Sequence, residues 1–306
     1  MVSIRKINRW KFPLLAAGFI VLMTCLTVRT YNARLTDEAL VHAVKSGNRS
    51  RVIALLNQGA NPNARELREK PAGNFLSNLL LWSNRPTGRG VLEIALAELE
   101  PGPPSDDIVE KLVLAGANPN GTDGKEDGYP LQRLAACENL RLMTLLLDHG
   151  ARINQQNKHG ETALMYAVKY DSLSSARLLL SKKADPNIRD QKHRSPLEVA
   201  IATRGEPQGG QCEMIRELLE HGVDPNGKND KGVSPLEFAI KLGTPDDGQT
   251  SVLRILLEHG ADPNQHLTTY PDMTVISYAD RMGRRDVVDL LRKYGKHATP
   301  KAGAGG

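Results

Sequence analysis

Residues able to do chemistry are few in this chain, and their spacing points away from catalysis. Of eight histidines, His149, His221 and His259 recur just ahead of a glycine, where a cation suits the partial negative charge of a helix C-terminus. His159 and His193 fall on neighbouring turns and would make half of a metal site, but no third ligand accompanies them. Cys137 and Cys212 stand too far apart to pair and read as free, buried thiols. The sequence contains no glycine-rich phosphate loop, no His-Glu-x-x-His and no Gly-x-Ser-x-Gly. No enzymatic activity, metal, cofactor or small-molecule substrate is therefore expected.

Charge is the remaining resource. The net charge is +5, and Arg5, Lys6, Arg9, Lys11 and Arg29 account for all of it, because the other 35 basic residues are matched by 35 acidic ones. Nucleic-acid binding needs a basic excess on the folded part. No nucleic-acid partner is expected.

The elements that must carry these residues show themselves by repetition. A short word returns along the chain: Gly59-Ala60-Asn61-Pro62-Asn63, Gly116-Ala117-Asn118-Pro119-Asn120, Gly150-Ala151-Arg152-Ile153-Asn154, Lys183-Ala184-Asp185-Pro186-Asn187, Gly222-Val223-Asp224-Pro225-Asn226 and Gly260-Ala261-Asp262-Pro263-Asn264. A degraded copy starts at Gly295. The period is about 33 residues with insertions. Each copy follows an apolar stretch at helical spacing, such as Ile215, Leu218 and Leu219. Glycine then ends the helix in a left-handed conformation, and Asp/Asn-Pro-Asn makes a turn. A second helical pattern, Leu-x-x-Ala, begins about ten residues later, led by a hydroxyl residue (Thr162, Ser195, Ser234) suited to an N-cap. Lys183 stands where the other copies have glycine, which predicts local strain of about 1 kcal/mol.

These residues resemble the ankyrin repeat, whose unit is a β-turn followed by two antiparallel helices. Ser195-Pro196-Leu197-Glu198-Val199-Ala200 and Ser234-Pro235-Leu236-Glu237-Phe238-Ala239 match the family's Thr-Pro-Leu-His-x-Ala word, with glutamate in place of histidine. The resemblance implies an all-α solenoid of about seven helix-turn-helix repeats over residues 37–295, followed by a flexible tail at 296–306. It also implies binding of another protein through turn tips and the concave helix face. Three helix-to-helix links are long and rich in Pro and Gly (Pro101–Pro104, Gly205–Gly210, Gly243–Gly248) and read as loops. The largest insertion, 64–89, holds Phe75–Trp82. It either folds back on the solenoid or forms a partner-binding element anchored on Trp82.

Residues Phe12 to Val28 carry no charge. Preceded by a basic segment (1–11) and followed by Arg29, they would span about 26 Å as a helix, the short end of what a bilayer core requires. A retained single-pass transmembrane signal-anchor is the favoured reading. It places the N-terminus in the cytoplasm and the repeats beyond an inner (cell) membrane, periplasmic or otherwise extracytoplasmic, as in membrane-anchored ankyrin proteins of bacteria. A cleaved signal, or a lipoprotein acylated at Cys25 after Leu22-Met23-Thr24, stays open.

The turn tips of the middle repeats form a basic stripe: Lys158, His159, Arg189, Lys192, Arg194, Lys228 and Lys231, offset by Asp190 and Asp230. Such a stripe speeds encounter with an acidic partner surface. Met165, Tyr166, Lys169, Tyr170, Glu198 and Glu237 on the first helices complete the expected contact face. The function expected is that of a membrane-tethered protein–protein interaction module, the alternative being an inhibitor or immunity protein that neutralises a toxic or lytic enzyme at the envelope.

Overall fold

The computed structural model describes residues 11–66, 88–98, 103–121, 128–203, 210–243 and 247–295. Two compact units meet in sequence between Gly124 and Lys125, and both are built of helix pairs. In the first, α1 (Lys11–Lys45) precedes α2 (Arg49–Asn57), α3 (Val91–Glu98) and α4 (Pro103–Leu114). The second holds α5 (Pro130–Ala136), α6 (Leu140–Asp148), α7 (Ala163–Lys169), α8 (Leu173–Ser181), α9 (Pro196–Ala202), α10 (Gly210–Glu220), α11 (Pro235–Leu242), α12 (Asp247–Glu258), α13 (Val275–Arg281) and α14 (Arg285–Gly295). Among the described residues β-structure is confined to two single bridges, Arg65–Gly90 and His266–Thr274.

Local chemistry explains each pair. The hydroxyls of Thr162, Ser195 and Ser234 accept from the backbone N–H of Met165, Glu198 and Glu237 at 3.3, 3.3 and 3.2 Å, satisfying a donor that the helix start leaves orphaned. Gly150, Gly222 and Gly260 end the second helices at φ +88°, +88° and +91°, where a Cβ would crowd the following carbonyl. Lys183 is forced into the same region at φ 69°. Each Asx-Pro-Asn word then turns on itself. The Asp224 carboxylate accepts the Asn226 N–H at 2.9 Å, and Asp262 accepts that of Asn264 at 2.8 Å.

Within each unit the core lies between the helices of each pair and continues into the next. Leu164, Leu197 and Leu236 on the first helices and Leu146, Leu179 and Leu218 on the second are all at most 1% exposed. A fully buried leucine contributes about 1.5–3 kcal/mol, so a periodic chain with few aromatics still assembles a sufficient core.

Three expectations need correction. Two of the long links are shorter than predicted, since Pro103 and Pro104 start α4 and Gly210 starts α10. Proline is welcome in a helical first turn because the N–H it lacks has no partner there. The third shrinks likewise, with α12 beginning at Asp247. The insertion is narrower than 64–89. Residues 64–66 and 88–91 pair as a neck, Glu66 donating its N–H to Arg89 at 2.8 Å and Val91 to Ala64 at 3.0 Å, with Lys45 and Arg89 paired to the Glu66 carboxylate. Finally, Cys137 is exposed and Cys212 half-buried, both as free thiols.

Helix α1 does not stop where the apolar run stops. It continues to Lys45, and Leu40, Ala43 and Val44 near its end are buried against α2 and α3. Earlier on the same helix Leu22, Met23, Leu26 and Val28 are 45–58% exposed. Among the described residues no helix is long and apolar enough to cross a membrane; the side chains of residues 11–21 and 27 are not among them. The leader 1–10, the segment 67–87 with Trp82, and the tail 296–306 also lie outside the described residues.

Candidate protein-binding surface

Three successive tips of the second unit are the same five-residue loop: Asn157–Glu161, Asp190–Arg194 and Asn229–Val233. The first residue of each closes the loop twice. Its backbone N–H donates to the carbonyl of the fifth residue at 3.0 Å in all three, and its side-chain oxygen accepts two backbone N–H groups. Asn157 accepts from His159 and Glu161, Asp190 from Lys192 and Arg194, and Asn229 from Lys231 and Val233, all at 2.9–3.0 Å. The fourth residue takes φ +74° at Gly160, 61° at His193 and +76° at Gly232. A loop locked by its own side chain is a rigid platform for the residues at its second and third positions.

Beneath the tips lies a row that the sequence reading assigned to partner contact and the structure assigns to the stack. Glu198 and Glu237 are 3% and 1% exposed. Glu198 accepts from the Asn229 side chain at 2.8 Å and from Arg189 at 2.9 Å. Glu237 accepts from the Thr268 N–H at 3.0 Å and from Lys241 at 2.6 Å. Each carboxylate on one first helix thus grips the next tip along. Burial pushes the Glu237 carboxyl up, but the Lys241 and Thr268 hydrogen bonds outweigh it and hold the group below its ordinary value. Gln132 does the same work uncharged, donating to the Gln155 and Glu161 carbonyls at 3.1 and 2.8 Å. Met165 occupies this slot in α7 and is 2% exposed, so it packs in the core and leaves the contact set.

The basic stripe divides in two. Arg189 donates to Glu198, to the His193 carbonyl at 2.8 Å and to the Lys228 carbonyl at 3.2 Å, which ties two tips together. Arg194 pairs with buried Asp190 at 2.6 and 2.9 Å, and His193 pairs with Asp230. Lys158, His159, Lys192, Lys228 and Lys231 are exposed on the tips. Lys192, Lys228 and Lys231 form no ion pair among the described residues. The sequence reading missed the Asx anchor that separates structural from displayed cations. Its signal was an Asn or Asp four residues ahead of the residue preceding each N-cap.

On the first helices, Tyr166 and Tyr170 stand with ring centroids 6.0 Å apart, and the Lys169 ammonium lies 5.7 and 5.9 Å from them. Tyr170 is 56% exposed; one and two repeats past α9, Leu242 and Met282 fill the equivalent place at 36% and 60%. His149, His221 and His259 donate from Nδ1 to the carbonyl four residues back at 2.8–2.9 Å, which makes them C-terminal caps. Among the described residues no three His, Cys, Asp or Glu side chains gather where a metal could bind.

Helix pairs joined by locked tips, with polar brackets passing between successive repeats of the second unit, define a repeat-built helical scaffold. The family model for ankyrin repeats (3 copies) matches residues 99–190 and 197–302, and the chain belongs to the ankyrin repeat family. It is similar to the ankyrin repeat protein R664 of Acanthamoeba polyphaga mimivirus, 36% identical over 99 residues, covering 30% of this chain and 60% of that protein. It is also similar to the mitochondrial disaggregase of Bos taurus, 30% identical over 199 residues, covering 63% of this chain and 26% of that one. The chain thus spans less than two thirds of either relative. The crystal structure of the ankyrin repeat domain of Bcl-3 superposes with a TM-score of 0.62 at 25% identity, over 83% of this chain and 97% of that one. A viral and a mammalian relative lend no support to a bacterial origin, and nothing in them favours the inhibitor alternative.

Proposed function

We propose that the protein is a membrane-tethered, non-enzymatic module that captures an acidic protein surface with the tips of its second unit. The observation that carries the binding half is the sorting of charge at the tips. Arg189 and Arg194 are held by Glu198 and Asp190, while Lys192 and Lys231 are displayed on the locked loops with exposed Lys158 and Lys228 beside them. Cations fixed in place lose little entropy on binding and steer encounter. Tyr166, Lys169 and Tyr170 supply an adjoining aromatic patch of the kind that anchors interfaces.

The tethering half is supported by α1. Its uncharged run is helical and bounded by Lys11 and Arg29, and the apolar residues described there stay exposed rather than folding onto the repeats. A retained anchor of this orientation puts the repeats on the non-cytoplasmic side.

The test is a pair of measurements on the full chain. Alkaline extraction of membranes should leave the protein in the pellet and release a variant lacking residues 12–28; release of both ends the tethering half. Crosslinked capture from those membranes is then run with the native chain and with Lys158, Lys192, Lys228 and Lys231 all changed to Glu. A protein captured only by the native chain should, once purified, associate at least tenfold more slowly with the charge-reversed variant at low salt, and the gap should close at high salt. Equal association rates remove the lysines from the account.

A further inference from the structure

The words that follow the second helices end in an asparagine that reaches across to the next word. Asn63, Asn154 and Asn226 accept the backbone N–H of Asn118, Asp185 and Asp262 at 2.6, 2.9 and 2.8 Å. Asn63 and Asn226 also donate their amides to the Gly116 and Gly260 carbonyls at 3.0 and 2.8 Å. Asn226 thereby ties the end of α10 to the end of α12. It is followed by Gly227, whereas Asn63, Asn154, Asn187 and Asn264 are followed by Ala64, Gln155, Ile188 and Gln265. Asn120-Gly121 repeats the pair, and there packing demands it, since a Cβ at Gly121 would overlap the Glu93 carboxylate. No such demand holds at Gly227. Its backbone is not left-handed, and a Cβ would meet nothing closer than the Asp224 carbonyl oxygen at 3.2 Å.

We infer that Asn226 is a modification site, at which loss of the side-chain amide yields aspartate or isoaspartate and cuts the link between the fifth and sixth helix pairs once their junction has opened. An asparagine followed by glycine can react with its own backbone, because no Cβ shields the next nitrogen. The Gly227 nitrogen bonds to Asn226 Cγ, the Cγ–Nδ2 bond breaks, and Nδ2 leaves as ammonia with the proton that the backbone nitrogen gives up. Water then opens the cyclic imide at either carbonyl, so one water is consumed for each ammonia released. The closed junction holds the reacting groups apart. Both polar atoms of the side chain are engaged by the next word, and the Gly227 N–H is donated to the Asp224 carbonyl at 3.1 Å. Asn226 is exposed, so water reaches it when these bonds let go, and the rate follows the population of the opened junction. The product has no amide to donate, which leaves the Gly260 carbonyl facing a carboxylate instead of a donor.

The test follows residue 226 by peptide mass mapping of the full chain held at mildly alkaline pH. Unfolded in guanidinium, the chain should convert at Asn226 about tenfold faster than at Asn63 or Asn264, and Gly227→Ala should abolish that excess. Folded, it should convert at Asn226 about tenfold more slowly than when unfolded, and guanidinium below the unfolding midpoint should raise the rate. The converted chain, separated by ion exchange, should exchange its amide hydrogens about tenfold faster over residues 260–264 than the unconverted chain, with α7 and α8 unchanged. Equal conversion in the folded and unfolded chains, equal conversion at the three asparagines when unfolded, an excess that survives Gly227→Ala, or exchange unaltered by conversion would each overturn the inference.

Discussion

The fourth helix pair, α7 and α8, and the two that follow it share one plan and are held in different ways. In the later pairs Glu198 and Glu237 fill the slot beneath the tips, and Gly222 and Gly260 end the second helices in the left-handed region. In the fourth, Met165 fills the slot, and three residues with side chains take positive φ within one repeat length: Asp171 at 55°, Lys183 at 69° and His193 at 61°. Each costs about 1–2 kcal/mol against a relaxed backbone. The hydroxyl of Ser175 is buried there with no hydrogen-bond partner. Yet this repeat carries the Tyr166–Lys169–Tyr170 patch. The least stable segment of a fold is where motion on binding concentrates, so the contact patch proposed above sits on the more strained repeat, beside neighbours held by buried carboxylates.

The largest effect should come from unclamping. Changing Glu237 to Ala strips the acceptor from the Thr268 N–H and from Lys241. Breaking a buried pair in this way costs about 3 kcal/mol, read as a fall in the urea midpoint at neutral pH. Glu237→Gln sharpens the comparison through pH. The folded carboxyl sits below its ordinary value of 4.5, so its stabilisation is full above that pH and disappears as the pH falls through the folded value. The gap between native chain and Gln variant should therefore be widest near pH 7, narrow as the pH drops below 4.5 and close once the pH is below the folded value. A constant gap across that range would mean that the carboxylate's charge plays no part.

Next in size is relief of strain in the fourth repeat. Lys183→Gly removes a Cβ from a left-handed backbone at an exposed helix end, and His193→Gly does so at a tip. Each should stabilise by about 1 kcal/mol, the His193 change by less, because its contact with Asp230 is lost; that pair is mostly exposed and contributes little. Hydrogen exchange should slow in α8 and in the 190–194 tip while the α11–α12 amides stay unchanged. Equal slowing throughout would show that the repeats open as one unit and would break the comparison.

How much of this was legible beforehand follows from the range of each interaction. Helix ends, hydroxyl caps and the Lys183 anomaly depend on neighbours within about five residues, and the repeated words exposed them. The roles of Arg189 and Glu198 were hidden, because the arginine meets a carboxylate nine residues away and a carbonyl 39 residues away. Charge alone made both look like surface. Met165 was misassigned for a related reason: the third residues of α5, α9 and α11, Gln132, Glu198 and Glu237, reach the next tip along, and only these other occupants of the slot reveal that it is an inner one. The tip lysines, by contrast, were read as displayed, because short loops of polar residues have little choice but to face water.

The smallest change isolates the last weakness. Ser175 is fully buried in α8 and its hydroxyl finds no acceptor, so the desolvation of that group is uncompensated. Ser175→Ala keeps nearly the same volume and should raise stability by about 1 kcal/mol, with no change in how the tips bind, since the residue touches no solvent. Combined with Lys183→Gly it tests independence: the two lie eight residues apart on opposite ends of α8 and share no hydrogen-bond partner, so their effects should add to within about 0.5 kcal/mol. If the double variant also loses affinity for the captured partner while its tips and tyrosines are intact, the looseness of the fourth repeat is part of recognition, and the clamped repeats serve as the frame against which it moves.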